Sequence, residues 1–506
     1  MTDVLLTHSY HLFYDRKQAQ RMQPYPPLGT LYAAAVLQEA GYSVGLFDGM
    51  LTEPMEGFRQ ALQIHRPQIV AIYEDDFNFL TKMCLTRMRE LAWHMIEQAR
   101  RSGAQVVVHG SDAIDHASEY LSQGSSCVLL GESEGSLLRV VRETCAGRSV
   151  TNVPGVATLR RNSQPPMLRI TPRSMARPNV HLPFPARDLI DMASYRLAWS
   201  AAHGFFSTNL VASRGCPFRC NWCAKPIFGD SFQVRPAASV AEEMAMLRNL
   251  HGAEHLWFAD DIFGLNRHWL GEFAEEVTRR NCSVPFKIQA RADLLDQNGA
   301  VALKRAGCAE VWMGIESGSQ KILDAMDKGL LVEQVVQARE HLKQQGIRAC
   351  YFLQFGYPGE SWQDLKRTIA LVRKTRPDDI GVSFSYPLPK TKFYERVQEQ
   401  LGTKRNWSDS EDLCVMFKGA YTDDFYRSVR NLLHAEVNSW KAGSPEATPS
   451  EYEEAWRQIE LREPRSRNSD ATQLWNSPAV CPGPTEQKNK TLVSVNNATL
   501  ATELSK

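Results

Sequence analysis

Short apolar runs alternate with amphipathic segments along the first part of the chain. Runs such as "DVLLTH" (3–8) and "AQVVVHG" (104–110) predict strands, and "GTLYAAAVLQEAG" (29–41) predicts a helix that ends at Gly41. Five strand–helix units follow one another in this way. The alternation predicts an α/β fold with a parallel, doubly wound sheet, a Rossmann-like domain over residues 1–150.

The pattern weakens over residues 151–200, which are rich in Pro and Arg and are predicted to form a linker. Alternation resumes over 201–400, where six strand–helix units predict a partial (β/α)6 barrel with its chemistry at the carboxyl ends of the strands. Residues 401–442 predict a helical extension. Residues 443–506 are polar and predict a mostly disordered tail, with one short helix over 450–460.

Charge and composition narrow the class of protein. The 506 residues include 58 basic and 57 acidic ones, so no nucleic-acid partner is expected. No apolar run reaches the roughly 18 residues of a membrane span, and "MTDVLLTHSY" lacks the pattern of a secretory signal. Most of the 11 cysteines are scattered, which is typical of reduced thiols. These features predict a cytoplasmic protein with no membrane span.

Three cysteines lie close together in "SRGCPFRCNWCAKP". Cys216, Cys220 and Cys223 follow a predicted strand, so their loop is expected on the active face of the barrel. Three thiolates can hold three irons of a [4Fe–4S] cluster and leave the fourth iron open to a substrate atom. The alternative is a zinc ion with a remote fourth ligand such as His203 or Cys282, although structural zinc sites more often use paired Cys-x-x-Cys hooks.

The cysteine loop resembles the signature of the radical S-adenosylmethionine (SAM) enzymes, Cys-x-x-x-Cys-x-aromatic-Cys, with Trp222 at the aromatic position. In that family the amine and carboxylate of SAM chelate the open iron, and an electron from the cluster releases a 5′-deoxyadenosyl radical. The resemblance implies that Cys216, Cys220 and Cys223 hold a [4Fe–4S] cluster. It also implies SAM as a cofactor and an electron donor such as flavodoxin or ferredoxin.

Further motifs of the radical SAM family recur in order along 207–390. "FADDIFG", "IQARADLL" and "GIESGSQ" end three predicted strands with polar groups that resemble contacts to the amine, carboxylate and ribose of SAM. "FGYPGE" and "SYPLPKT" resemble segments that border adenine. The SAM contacts that the resemblance implies are Trp222, Asp260, Asp261, Gln289, Arg291, Glu316, Ser317, Gly356 and Tyr386.

Several of these residues also have a purely structural interpretation. The two adjacent aspartates can cap a helix, and Arg291 can belong to a structural ion pair. Pro-Gly in "FGYPGE" marks an ordinary turn. Trp222 can be a surface aromatic that supports the cysteine loop.

The N-terminal domain resembles the cobalamin-binding module of class B radical SAM enzymes. "YPPLGTLYAAAVLQEAG" and "VVVHGSDAID…LLGESEG" resemble its motifs, with His109-Gly110 in place of paired glycines. The Asp-x-His-x-x-Gly signature is absent, which argues against His116 as the lower cobalt ligand. The cobalamin contacts that the resemblance implies are Gly29, Glu74, Asp75, Gly110, Ser111, Asp112, Gly131 and Glu132. The alternative is a Rossmann-like module that only shapes the active site.

The resemblance implies a cobalamin-dependent C-methyltransferase that acts on an unactivated carbon of a small-molecule substrate, such as a natural product or a lipid-like compound. One alternative is a non-methylating cyclase or rearrangement enzyme, similar to the anaerobic magnesium-protoporphyrin monomethyl ester cyclase. Another is a cobalamin-binding sensor or scaffold. A methylthiotransferase is disfavoured, because Cys84, Cys127 and Cys145 are too widely spaced for a second cluster. The sequence names no catalytic residue and no substrate.

Overall fold

A computed structural model describes residues 2–78, 86–160, 166–173, 182–402, 416–441 and 449–468. These residues form two large sheets, one in each half of the chain, with helices packed against both, and one two-stranded sheet. The strands of the N-terminal half are β1 (Val4–Thr7), β2 (Val44–Phe47), β3 (Ile69–Tyr73), β4 (Gln105–His109), β5 (Cys127–Leu129), β6 (Val156–Arg160) and β7 (Met167–Thr171). Its helices are α1 (Arg16–Arg21), α2 (Leu28–Glu39), α3 (Pro54–His65), α4 (Thr86–Arg101), α5 (Ser111–Asp115), α6 (Ala117–Ser122) and α7 (Glu134–Cys145).

The N-terminal sheet has the order β2-β1-β3-β4-β5-β6-β7 in the part of the chain that the structure describes. The first five strands are parallel. Every residue of β1 and β3 is buried, as expected for central strands with helices on both faces. The chain changes direction between β1 and β3, where ligands of doubly wound sheets bind. The predicted doubly wound α/β fold is confirmed.

The segment predicted as a linker, 151–200, contributes to this sheet. β6 pairs antiparallel with β5, and β7 pairs antiparallel with β6. A further helix, α8 (Met192–His203), begins at the N-cap Asp191 and ends at Gly204. The strands escaped prediction because β7 lies at the sheet edge, where Met167, Leu168 and Ile170 are exposed and no apolar face is buried.

The C-terminal half contains a six-stranded parallel sheet in the described residues. Its strands, in sheet order, are β15 (Asp379–Phe384), β14 (Arg348–Phe355), β13 (Cys308–Glu316), β12 (Phe286–Ala290), β11 (His255–Phe258) and β8 (Ser207–Leu210), and a short hairpin comprises β9 (Ser213–Arg214) and β10 (Gln233–Val234). The helices are α9 (Ala237–His251), α10 (Arg267–Arg279), α11 (Gln297–Ala306), α12 (Gln320–Ala325), α13 (Val332–Gln344), α14 (Trp362–Thr375), α15 (Lys392–Val397), α16 (Asp423–Ser439) and α17 (Pro449–Ser466).

Along each of these strands, successive side chains point to opposite faces of the sheet. Outward residues such as Phe258, Val311 and Leu353 are buried under the helices in one continuous core. The opposite face carries polar or partly exposed side chains, including Gln289, Trp312 and Phe352. Among the described residues β8 and β15 have no strand partner on their outer edges, so the six strands form an open partial barrel as predicted.

The tail predicted to be mostly disordered contains the packed helix α17. Trp456 and Ile459 of this helix are buried in the main core. The indole Nε1 of Trp456 donates to Glu436 of α16 at 2.7 Å. Tyr421 donates to Glu463 at 2.7 Å. The short helix predicted over 450–460 lies within α17, which is longer and is fixed by a few buried contacts although most of its residues are polar or charged. Residues 403–415 and 469–506, which belong to the predicted extension and tail, lie outside the described residues.

Candidate active site

The cysteine loop connects β9 to β10, which pair antiparallel and close its base. Cys216, Cys220 and Cys223 are half-buried free thiols. Gly215 permits the entry into the loop, because its φ of 78° is left-handed and a Cβ there would lie 2.3 Å from the carbonyl oxygen of Ser231. Within the described ranges, no three His, Cys, Asp or Glu side chains converge as ligands of a single metal ion.

Two residues inside the loop fix its path. Asn221 is buried, donates to the carbonyl oxygen of Ala325 at 2.7 Å, and accepts from the hydroxyl of Tyr357 at 2.7 Å. The ammonium of Lys225 donates to the carbonyl oxygens of Cys216 (3.1 Å) and Phe218 (2.6 Å). The loop is thus preorganised by hydrogen bonds to itself and to the segments after β13 and β14. The sequence analysis missed both roles, although both residues lie within the quoted stretch.

Asp260 is a positioning residue of the strand before the loop. Its carboxylate accepts from the backbone N–H groups of Ala212 (3.0 Å) and Ser213 (2.5 Å) and from the hydroxyl of Ser213. Burial raises the pKa of Asp260 to about 7. These donors hold the carboxylate against the strand before the loop, and the contact of Asp260 with the SAM amine stays a prediction. The neighbouring Asp261 is half-buried.

The guanidinium of Arg291 contacts the cysteine loop and already donates hydrogen bonds to other groups of the protein. Its guanidinium lies 3.8 Å from the ring centroid of Phe218. It donates to both oxygens of Asp293 (3.0 and 3.1 Å) and to the carbonyl oxygens of Lys328 and Gly329. The structure contains the ion pair with Asp293, and the contact of Arg291 with the SAM carboxylate stays a prediction. The residue holds Phe218 in place through a cation–π contact.

Glu316 and Lys328 form a buried ion pair beside the loop. The ammonium of Lys328 lies 2.8 Å from Glu316 Oε1 and 6.0 Å from the ring centroid of Trp222. Burial opposes the charge of Lys328, but Glu316 and the nearby Cys220 raise its pKa overall. The indole Nε1 of Trp222 is buried and has no hydrogen-bond partner among the described residues. This orphaned donor beside the thiols fits a bound ligand with an acceptor atom.

The remaining predicted SAM contacts are Ser317, Gly356, Gln289 and Tyr386, and each lies in a different environment. Ser317 is fully buried, accepts from the N–H of Ser319 and shares a hydrogen bond with Thr368, and its contact with the ribose stays a prediction. Gly356 (φ 79°) donates its N–H to Glu360 at 2.7 Å in the turn after β14. The side chains of Gln289 and Tyr386 are half-buried, and Tyr386 packs against the main core.

The implied cobalamin contacts gather at the carboxyl ends of β1, β3 and β4. The N–H of Gly29 donates to Asp75 at 2.9 Å, and a Cβ on Gly29 would lie 2.7 Å from the backbone nitrogen of Asp76. A Cβ on Gly110 would lie 2.7 Å from Glu74 Cγ. Burial raises the pKa of both Glu74 and Asp75. The structure therefore brings these four positions together, and both glycines are needed for the close approach. Their contact with cobalamin stays a prediction.

The carboxylate of Asp112 already has hydrogen-bond partners in the N-terminal half. It accepts from Arg89 of α4, with Nε at 2.7 Å, and from the hydroxyl of Tyr120 at 2.8 Å. These contacts use the Asp112 carboxylate inside the N-terminal half, and its contact with cobalamin stays a prediction. Its neighbour Ser111 is buried. His116 lies 3.1 Å from Glu119.

Arg214 joins the two halves directly before the cysteine loop. Its guanidinium lies 2.9 Å from Glu132 and 2.7 Å from Glu134, and it lies over the rings of Tyr32, Phe77 and Phe228. Although burial opposes the charge, the two carboxylates raise its pKa above the usual range. Arg214 was not among the predicted site residues, because the stretch "SRGC" does not indicate that its partners lie in the N-terminal half.

Gly131 and Glu132 bring the N-terminal sheet against the same loop. The N–H of Glu132 donates to the carbonyl oxygen of Ile227 at 2.9 Å. Gly131 has a left-handed φ of 66°, and a Cβ there would lie 3.1 Å from that same oxygen. The carboxyl ends of both sheets therefore face each other across the loop.

Three buried polar atoms at this junction have no hydrogen-bond partner in the described residues: the hydroxyl of Tyr73, Nδ1 of His109 and Nη2 of Arg214. The rings of Tyr73 and His109 contact each other, with centroids 4.1 Å apart. Burial lowers the pKa of His109 to about 3, so the ring is neutral. Orphaned polar atoms at strand ends fit a polar ligand held between the halves.

Residues 210–372 match the Radical SAM superfamily. The chain contains a radical SAM domain. It is 25% identical over 389 residues to the uncharacterized methyltransferase PH0819 of Pyrococcus horikoshii, covering 76% of this chain and 81% of the relative. It is 23% identical over 387 residues to the hopanoid C-3 methylase of Methylococcus capsulatus (75% and 70%). It is also 23% identical over 393 residues to the anaerobic magnesium-protoporphyrin IX monomethyl ester cyclase of Synechocystis sp. (74% and 73%).

Two solved structures have a fold similar to that of this chain. The methyltransferase TsrM from Kitasatospora setae, with cobalamin and a [4Fe–4S] cluster bound, has a TM-score of 0.66 at 18% identity over 80% of each chain. The cobalamin-dependent radical enzyme OxsB, with aqua-cobalamin bound, has a TM-score of 0.66 at 16% identity over 92% of this chain and 71% of its own. The radical SAM prediction is confirmed. In the described ranges, no helix combines the length and apolar character of a membrane span.

Proposed function

We propose that this radical SAM protein is a cobalamin-dependent methyltransferase that transfers a methyl group to a carbon of a small molecule. The observation that carries the proposal is the position of the three-cysteine loop. It lies between the carboxyl ends of two sheets, next to Arg214 on one side and the Glu316–Lys328 pair on the other. A cluster held by these thiols would face both the barrel and the glycine-bordered cleft of the N-terminal sheet.

The residues of this chain have distinct roles in the proposed reaction. Cys216, Cys220 and Cys223 hold the cluster, which supplies an electron to SAM when bound. Lys225 and Asn221 fix the loop, so the thiols need little reorganisation. The N–H of Trp222 would donate to a ligand of the cluster. Glu74 and Asp75, which Gly29 and Gly110 allow to approach closely, would border the corrin.

The names of the relatives support methyl transfer. Two of the three relatives above are named as a methyltransferase and a methylase, and the solved structure of TsrM is described as a methyltransferase with cobalamin. The second candidate is a non-methylating cyclase, which the likeness to the magnesium-protoporphyrin ester cyclase favours. We place the reaction in the cytoplasm, with flavodoxin or ferredoxin as the electron donor, because free thiols and the cluster need a reducing compartment.

Anaerobic reconstitution with iron and sulfide tests the cluster. The wild-type chain should bind about four irons and cleave SAM to 5′-deoxyadenosine. Cys220→Ser should lose cluster and cleavage, whereas Cys145→Ser, which changes an exposed thiol far from the loop, should keep both. A colourless wild-type protein that binds one zinc ion would contradict the proposal.

Hydroxocobalamin and SAM with a labelled methyl group test the second half of the proposal. We expect corrinoid to co-elute with the wild-type chain and with Cys220→Ser, because its contacts lie in the N-terminal half. Label that passes from SAM into a small-molecule product supports methyl transfer. An unlabelled, ring-closed product would support the cyclase instead.

A further inference from the structure

Two aromatic side chains stack on the inner face of the C-terminal sheet. The rings of Trp312 and Phe352 have centroids 4.7 Å apart and an interplanar angle of 28°. Both rings lie beside Gly381, because a Cβ at that glycine would come within 3.3 Å of the Phe352 ring and 3.4 Å of the Trp312 ring. The pair, which we call the aromatic patch, therefore extends over the three adjacent strands β13, β14 and β15.

The aromatic patch is accessible and held in position. Phe352 is 36% exposed and Trp312 is half-buried, whereas the alternating residues on the outer face of the same strands are buried in the core. The indole Nε1 of Trp312 donates to Glu310 at 2.7 Å, and Glu310 also pairs with Arg348 at 3.0 Å. The polar edge of Trp312 is thus satisfied within the protein, and the patch offers a ligand apolar ring surface.

Two buried polar atoms follow the aromatic patch toward the carboxyl ends of the strands. Gln354 comes two residues after Phe352 on β14, so both side chains lie on the inner face, while Leu353 and Phe355 lie in the core. Ser385 continues β15 and donates its N–H to the carbonyl oxygen of Phe355 at 2.8 Å. Oε1 of Gln354 and Oγ of Ser385 are buried without a hydrogen-bond partner among the described residues. Such an unpaired acceptor costs about 1–3 kcal/mol, which a ligand that donates a hydrogen bond would offset.

The aromatic patch also adjoins the residues beside the cysteine loop. Phe352 pairs in register with Gly314 of β13. A Cβ at Gly314 would lie 2.8 Å from Glu316 Oε1 and 3.0 Å from Lys328 Nζ, so the buried ion pair lies directly over this glycine. The same lysine lies 6.0 Å from the ring centroid of Trp222 in the cysteine loop. A ligand on the patch would therefore lie next to the side chains that border the thiols.

We propose that the substrate presents a planar conjugated ring, which stacks on the aromatic patch and donates an N–H or O–H at its edge to Oε1 of Gln354. This inference rests on the proposed function, whose small-molecule substrate it describes. A planar ring suits the patch better than a flexible chain, because its whole face can contact the rings of Trp312 and Phe352. Apolar surface combined with a buried acceptor is the arrangement by which small-molecule sites fix the orientation of a ligand.

Saturation-transfer NMR titration of the full chain with indole, benzofuran and cyclohexanol tests the inference. Indole has both the planar ring and the N–H, benzofuran keeps the ring without the donor, and cyclohexanol has a donor without a planar ring. The wild-type chain should bind indole, and bind benzofuran about three- to tenfold more weakly because the hydrogen bond to Gln354 is lost. Cyclohexanol should bind more weakly still. No binding of indole, equal affinity for indole and benzofuran, or tighter binding of cyclohexanol would overturn the inference.

Three variants assign the two contacts separately. Phe352→Leu should weaken indole binding about threefold or more, because it removes one ring of the stacked pair. Phe205→Leu changes an aromatic side chain of similar exposure (37%) outside the patch and should leave indole binding unchanged. Gln354→Met should lower the affinity for indole to that for benzofuran, while the affinity for benzofuran itself stays the same. Equal weakening by Phe352→Leu and Phe205→Leu would contradict binding at the patch.

Thermal unfolding and SAM cleavage separate a substrate contact from other roles of Gln354. The Tm of Gln354→Met should equal or exceed that of the wild type, because the variant removes an unpaired buried acceptor. A lower Tm with unchanged indole affinity would show a structural role instead, and a raised KM for SAM with unchanged indole affinity would assign the acceptor to SAM; either result refutes the inference. Because the titration contains no SAM, failure of indole binding with intact SAM cleavage refutes only this inference. Intact indole binding without SAM cleavage refutes only the proposed function.

Discussion

Glu360 is a buried acid whose protonation is coupled to folding. Its Oε2 accepts from the N–H of Gly356 at 2.7 Å, and its other oxygen is buried without a partner in the described residues. Burial raises its pKa from 4.5 to about 8, with a smaller contribution from Asp364. The folded chain therefore binds this proton more tightly than the unfolded chain. Its contribution to stability is lost as the pH rises from about 4.5 through about 8.

We expect Glu360→Gln to stabilise the protein at pH 8.5 by about 1–2 kcal/mol and to change little at pH 5. The amide oxygen can still accept from Gly356, and the buried charge is removed. Thermal unfolding at both pH values measures the difference, with the exposed Glu399→Gln as a control. A gain of equal size at both pH values would contradict the assigned pKa.

Single residues also show where sequence motifs stop being informative. Gly29 and Gly110 were predicted as cobalamin contacts, and the structure places them against the Glu74–Asp76 segment, where glycine is required because the chains approach closely. Asp260 was placed at the right strand end, but the carboxylate turns back to the strand before the cysteine loop. A motif fixes residue type and position along a strand, whereas the partner of a side chain depends on distant segments.

At the scale of elements, the strands and helices of both halves could be predicted from periodicity, and the exceptions share a cause. β7 buries no apolar face, and α17 is mostly polar or charged, so β7 was not predicted and α17 was predicted only as a short helix over 450–460. Each is fixed by its neighbour, β7 by pairing with β6 and α17 by packing on α16. Elements that depend on tertiary contacts are the ones that a single sequence predicts least well.

Trp456→Ala should loosen α17, because the indole fills the core and donates to Glu436. Truncation of a buried Trp costs about 3–5 kcal/mol. Hydrogen exchange of the amides of 449–466 should become roughly a hundredfold faster or more if the helix opens as a unit. Gln458→Ala, on the exposed face of the same helix, should leave the exchange rates unchanged. Unaltered protection in Trp456→Ala would show that the indole does not anchor the helix.

At the scale of the whole molecule, buried ion pairs of Arg214 with Glu132 and Glu134 join the two halves. Arg214 neutralises Glu132 and Glu134 at once, so its loss would leave two buried carboxylates near each other. The sequence predicted two α/β units and their active edges. It could not predict that the edges face each other, since the residues that join them are more than 80 positions apart.

Arg214→Met should destabilise the chain by about 3–5 kcal/mol, because it removes the cation of a buried ion pair and leaves the two carboxylates without a counter-charge. Adding Glu132→Gln and Glu134→Gln should recover most of this loss. Urea unfolding compares the variants, and Arg219→Gln, which removes an exposed cation of the same loop, is the control. A single variant as stable as the wild type would show that the halves are held together by other contacts.

The unpaired outer edges of β8 and β15 have a consequence for divergence among related enzymes. The helix α16 packs against β15 and contributes no strand hydrogen bonds. Substitution or displacement of this helix would leave the hydrogen bonds of the sheet and the cysteine loop intact. New substrates can therefore be accommodated by remodelling α16, while the strands and the cysteine loop are inherited unchanged.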